Sequence, residues 1–319
     1  MELQPAFDQF LAHYAQRLDS TSPSLIEKEQ EHHFQFQVQS ERLKVDNYPT
    51  IFHHRRKTDE VIILTHGLSD SPFYMKAVGE RFYRAGFNVV FPLLPAHGLK
   101  QPDQAFEDRS LDQKWRKEID HSVNIAQQLG KRVSIGGFST GGALSYNFLL
   151  RRPGTIHGAL FLFSAALAIP VAMSDTLSQS KLVQLITKMR DGEVNGIGKD
   201  PYKYPDFPEF GVVELGQIIA ENNDIVAKQQ KIENPVFAAH SVHDTSAKLE
   251  GITQMLTANC KVGTAFIISE EVAHAELPLA EDIQLDHSRE HGPEKAPKAN
   301  PQFEQMMSQA LQFVEKVLA

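Results

Sequence analysis

Hydrophobic and polar positions change their rhythm along the chain. Residues 5–18 place Phe7, Phe10, Leu11, Tyr14 and Leu18 at helical spacing and predict an amphipathic helix. Its polar face lacks the Lys and Arg of a membrane-surface helix, so it is expected to lie on the body of the protein. FQFQVQ at 34–39 alternates apolar and polar residues, the pattern of an antiparallel edge strand, with TIFHH at 50–54 as its candidate partner. The run His53-His54-Arg55-Arg56-Lys57 reads as a solvated turn.

A different pattern begins at residue 61. VIILT (61–65) and FNVVF (87–91) are short apolar runs, as in strands buried on both faces, and RVSIGG (132–137), GALFLFS (158–164), PVFAAHS (235–241) and TAFIIS (264–269) read as four more strands. Helical stretches separate them at 72–84, at 111–129 with Trp115, Ile119, Val123, Ala126 and Leu129 on one stripe, and at 141–150. Strands and helices in alternation predict an α/β fold with a mostly parallel sheet and helices on both faces. The alternation stops at 165–225, which contains DPYKYPDFPEF, and a final helix is expected at 302–318 after a polar, proline-bearing loop at 281–301. The organisation expected is a core of residues 1–164 and 226–319 interrupted by an insertion at 165–225.

Composition narrows the class. A chain of 319 residues can bury a large core without cross-links. A formal net charge of −8 with no basic stripe argues against nucleic acid as a partner. The single cysteine, Cys260, permits no internal disulfide and gives no sign of an oxidising compartment. No run approaches 18 apolar residues, and the first residues lack the basic start and apolar stretch of a signal peptide, so a cytoplasmic location is expected. Neither a phosphate-binding G-x-x-x-x-G-K-[ST] loop nor a G-x-G-x-x-G turn is present, and no cofactor is expected.

The candidate chemistry centres on Gly137-Phe138-Ser139-Thr140-Gly141, a G-x-S-x-G between a predicted strand and a predicted helix. That context is the nucleophile elbow, whose tight turn needs glycines and exposes a serine at the positive end of a helix. A serine hydroxyl needs an adjacent base, and on such a scaffold acid and histidine follow the serine in that order, beyond the ends of later strands. Asp244, after strand 235–241, suits the acid, and His274, after strand 264–269, suits the base. The backbone N–H groups of Thr140 and Leu68 are the expected oxyanion donors. His66, in Thr65-His66-Gly67-Leu68, is expected to be structural. His243 adjoins Asp244, and His287 and His291 lie in the polar loop as rivals to His274. His287-Ser288-Arg289-Glu290-His291 fits a zinc-protease pattern, but Gly292 and Pro293 follow at once and no metal is expected.

ILTHGLSDSPFYM, FPLLPAHG, LDQKWRKEID and IGGFSTGGAL, in this order and spacing, resemble the α/β-hydrolase superfamily, within it the carboxylesterase and monoacylglycerol-lipase branch. The match is dense over residues 60–150. The resemblance implies the triad Ser139, Asp244 and His274, a cap at 165–225, and a structural His97. It implies hydrolysis of a carboxylic ester with a modest apolar acyl chain, acylglycerol or lysophospholipid among the options. A thioesterase, amidase or acyltransferase with the same triad, or a silent binding protein on this scaffold, are the alternatives. The chain departs from the family in the Thr-Ser-Ala that follows Asp244 and in the long loop between His274 and the last helix.

Overall fold

The computed structural model describes residues 2–28, 33–168, 201–204, 209–228, 231–281 and 298–318. Strands β1 (Thr21–Lys28), β2 (His33–Ser40), β3 (Thr50–His53), β4 (Thr58–Thr65), β5 (Asn88–Phe91), β6 (Gly130–Phe138), β7 (Leu160–Phe163), β8 (Val236–Ser241) and β9 (Gly263–Ile268) form one sheet in the order β1-β2-β3-β5-β4-β6-β7-β8-β9. From β5 to β9 every pairing is parallel, while β1, β2 and β3 extend the sheet in antiparallel fashion.

The helices are α1 (Gln4–Leu18), α2 (Lys76–Arg84), α3 (Asp103–Phe106), α4 (Leu111–Leu129), α5 (Thr140–Arg151), α6 (Glu209–Ala227), α7 (Leu249–Gln254) and α8 (Phe303–Leu318). The apolar runs explain how they are layered. Side chains alternate across a strand, so Val61 and Ile63 of β4 face α1, α4, α5 and α6, whereas Ile62 and Leu64 face α2 and α8. Both faces are thereby dry, which is why these strands are apolar at consecutive positions.

Two readings of the N-terminal part change. β1 pairs along the whole outer side of β2, so residues 34–39 are not an edge strand. Pro23 and the polar residues of TSPSLIEK hide this strand from a propensity reading, because proline is tolerated where the strand has a free side. His53 is also no solvated turn residue. It ends β3, is buried, and packs on Phe7 of α1 at 4.9 Å between ring centroids. The expected insertion lies partly outside the described residues (169–200 and 205–208), and α6 within it packs against α4 and α5. His287, His291 and most of the 281–301 loop also lie outside them.

Strand order sets the location of chemistry. β5 lies on one side of β4 and β6 on the other, so the chain reverses direction across the sheet at β4. The carboxyl ends of β4 and β6 flank the crevice that such a switch point opens.

Candidate active site

Ser139 stands at this crevice, between β6 and α5. Its backbone has φ 51° and ψ −114°, a conformation that non-glycine residues adopt only when their surroundings enforce it. The enforcement is visible. The Ser139 N–H donates to the Phe163 carbonyl, and the Ser139 carbonyl accepts from the N–H groups of Ala143 and Ala166, each at 3.1 Å. A Cβ on Gly137 or Gly141 would collide with the Thr65 carbonyl. The elbow and the end of β4 are thus in backbone contact, and only glycine permits it.

The loop after β4 is fixed from the other side by two histidines. His66 Nε2 accepts the Leu94 N–H at 3.1 Å, which makes Nδ1 the protonated nitrogen and the donor to the Gly67 carbonyl at 2.8 Å. His97 Nε2 accepts the Ser69 N–H at 3.2 Å, and its Nδ1 lies 3.0 Å from the Pro95 carbonyl. Burial holds both imidazoles neutral. It drives His66 well below the usual histidine range and His97 down to about 4. Both histidines therefore serve as fixed braces for residues 66–69. The N–H groups of Leu68 and Thr140, one on each side of the crevice, donate to no acceptor among the described residues.

Asp244 and His274 meet at the ends of β8 and β9. His274 Nδ1 lies 2.7 Å from Asp244 Oδ2, and the His274 ring packs on Phe138, the residue before Ser139, at 4.7 Å between centroids. Asp244 is fully shielded from solvent at its side chain, and His274 nearly so. Burial pushes the Asp244 carboxyl up. The charge and hydrogen bond of His274, the Ala247 N–H and the more distant His240 outweigh it and hold the acid below its usual value. The Thr-Ser-Ala departure has its explanation here, because the Ser246 and Ala247 N–H groups donate to Asp244 Oδ1 at 2.9 and 2.8 Å.

Other partners of this pair were not legible beforehand. His240 belongs to the buried end of β8 and donates from Nε2 to the Ala247 carbonyl, closing the turn around Asp244. Its neighbour His243 points away, toward the Ser269 carbonyl. Glu276 accepts the Ala273 N–H at 2.9 Å and the Lys298 N–H at 3.1 Å, so the turn His274–Glu276 is tied to the chain leading into α8. Asn300 adds a bond to the Leu277 carbonyl. The Glu276 carboxylate on the Ala273 N–H is half of a capping box, and Ala273 has no side-chain oxygen to form the other half, so the sequence carries no capping signature there. Among the described residues no group of three His, Cys, Asp or Glu side chains is arranged to hold a metal ion.

Known proteins share this fold. The family model described as serine aminopeptidase, S33, matches residues 56–201. A thermostable monoacylglycerol lipase from Bacillus sp. (strain H-257) is 23% identical over 183 residues, 57% of this chain and 70% of the lipase. A structure from a study of two metagenome-derived lipolytic enzymes superposes with a TM-score of 0.61 at 19% identity, over 82% of this chain and 95% of its own. The monoacylglycerol lipase of Paleococcus ferrophilus gives 0.57 at 17%, over 82% and 96%. A soluble variant of the Saccharomyces cerevisiae monoglyceride lipase gives 0.61 at 13%, over 94% and 96%. The chain has the fold of the α/β-hydrolases, and it is similar to their carboxylesterases and monoacylglycerol lipases, the branch its motifs resemble.

Proposed function

We propose that the protein hydrolyses carboxylic esters with apolar acyl chains through an acyl-enzyme on Ser139. His274 takes the proton from the Ser139 hydroxyl as Oγ attacks the ester carbonyl. The N–H groups of Leu68 and Thr140 receive the developing negative oxygen. The protonated His274 then gives its proton to the departing alcohol, and Asp244 stabilises the imidazolium between the two transfers. In the second half His274 deprotonates water, which attacks the acyl carbonyl and restores the serine.

The observation that carries this reading is the 2.7 Å contact of Asp244 with His274 beside a serine in an enforced φ 51° turn. Residues 165–225 are proposed as a cap over the crevice, and its apolar side chains as the source of acyl preference. The monoacylglycerol lipase relatives favour a glycerol monoester as the substrate. Among the described residues no helix is long and apolar enough to cross a membrane. A cytoplasmic location is proposed on the unpaired Cys260. The family description, serine aminopeptidase, supports one second reading, in which the same acyl-enzyme forms from an amide.

Hydrolysis of p-nitrophenyl esters from acetate to palmitate, of a monoacylglycerol and of an aminoacyl p-nitroanilide separates the readings. Ester turnover that disappears in Ser139→Ala is expected. Turnover of the anilide alone would give the amide reading, and ester turnover unchanged by Ser139→Ala would overturn the mechanism.

A further inference from the structure

Residues 201–204, just before α6, lie on the loop that follows β4. Lys203 is 7% exposed at its side chain and sets Nζ 3.1 Å from Oδ1 of Asp70, which is 1% exposed. The Tyr204 N–H donates to the Ser69 carbonyl at 2.9 Å, and the Tyr202 ring stacks on Phe73 at 3.5 Å. Three consecutive residues of the segment thus grip residues 69–73. The gripped loop departs from relaxed backbone, with Ser69 at φ 63°. The Asp70 N–H donates to the Gly67 carbonyl at 3.3 Å, and a Cβ on Gly67 would collide with Asp70 Oδ2. The Asp70 carboxylate therefore lies against the backbone that carries the Leu68 N–H.

We propose that Asp70 and Lys203 are a positioning pair for ester hydrolysis, holding the Leu68 N–H where an oxyanion forms. The inference rests on Leu68 being an oxyanion donor. A buried ion pair is a poor source of stability, because desolvation offsets its attraction, but its geometric demand fixes register. A carboxylate beside the crevice would also oppose the negative charge that develops on the substrate, and the Lys203 ammonium at 3.1 Å counters that field. Removing Lys203 alone is therefore the harmful change. Removing both charges lifts that opposition while the fastening stays lost.

The test compares wild type, Lys203→Met, Lys203→Arg and the double variant Asp70→Asn/Lys203→Met. Stopped-flow bursts with p-nitrophenyl butyrate give the acylation rate and KM, and an alkyl trifluoromethyl ketone reports affinity for a tetrahedral adduct. Lys203→Met is expected to slow acylation about 10- to 100-fold and weaken the ketone by a similar factor, with KM within about threefold. Lys203→Arg should keep most of the rate, and the double variant should fall about three- to tenfold below wild type. A folded Lys203→Met that acylates within about twofold of wild type, or whose loss lies in KM alone, overturns the proposal. Should Lys203→Met not fold, the double variant carries the comparison, and its equality with wild type has the same meaning. A wild type that neither turns over esters nor labels at Ser139 with a fluorophosphonate overturns the hydrolase reading and the pair with it. A wild type that labels, beside an unimpaired Lys203→Met, overturns the pair alone.

Discussion

Oδ2 of Asp244 stands 2.7 Å from Nδ1 of His274, while Oδ1 of the same carboxylate accepts the N–H groups of Ser246 and Ala247. The two oxygens are not interchangeable. In Asp244→Asn the amide oxygen is committed to those two N–H groups, so the amide nitrogen must face His274. Nδ1 then becomes an acceptor, Nε2 carries the proton, and the base can no longer take one from Ser139. A fall in kcat of about 10⁴-fold is expected with the fold intact. Parallel measurement of kcat and circular dichroism checks it, and an active Asp244→Asn would remove Asp244 from the proposed mechanism.

The enforced turn at Ser139 makes a second prediction. A left-handed φ with ψ −114° costs a residue with a Cβ about 1–3 kcal/mol, and glycine relieves most of it. Ser139→Gly and Ser139→Ala should both be inactive, with the glycine variant the more stable by about 1 kcal/mol. Urea denaturation of the two inactive proteins compares them free of any effect on catalysis, and an alanine variant that equals or exceeds the glycine variant would show the turn to be unstrained.

Buried neutral histidines give a third prediction, about pH. Burial, with lesser contributions from Arg55 and His54, lowers His53 to about 4, and burial lowers His97 to about 4. Unfolded, each titrates near 6.5. Above that value both states are neutral. As pH falls from 6.5 toward 4 the unfolded chain binds protons that the folded chain refuses, so stability falls with pH. Each histidine is worth about 2 kcal/mol between pH 6.5 and pH 5. Denaturation midpoints at these two pH values should differ less in His53→Phe than in wild type, and an unchanged difference would mean that His53 is protonated in the native state.

Glu118 of α4 is the fourth point of test. This buried carboxylate accepts from Tyr14 Oη at 2.6 Å and Arg17 Nη1 at 2.8 Å on α1, with His13 Nε2 also at 2.8 Å. Tyr14 in turn accepts the Leu93 N–H. Glu118→Ala leaves three polar groups of α1 without their partner and should cost about 3 kcal/mol. Its activity per folded molecule at 25 °C should stay near wild type. Thermal melts and active-site titration report the two quantities separately.

Much of this arrangement could be read along the chain because burial on both faces leaves a mark. Strands β4 to β8 carry consecutive apolar positions, so their number and spacing are evident, and Ser139 stands out by its place between one of them and a helix. The positions of Asp244 and His274 after β8 and β9 account for their 2.7 Å contact. β1 was missed because TSPSLIEK buries little, and an exposed strand carries no strong pattern. Asp70 and Lys203 were missed for another reason. Nothing local distinguishes either residue, and only the fold brings the segment at 203 onto the loop at 70. His240 carries no local signal, because its burial comes from the turn that closes over it.

The proposed nucleophile and base are hung from parts of the sheet with very different support. β6, which leads into Ser139, is paired on both sides, with β4 and β7. β9, which leads to His274, is the outermost strand, paired only with β8 among the described residues, and most of its residues are exposed. Outer strands open at lower free energy than central ones. The machinery therefore has a fuse. On warming, the histidine side should detach while the serine side is still folded, so that activity is lost reversibly at temperatures where most of the sheet persists.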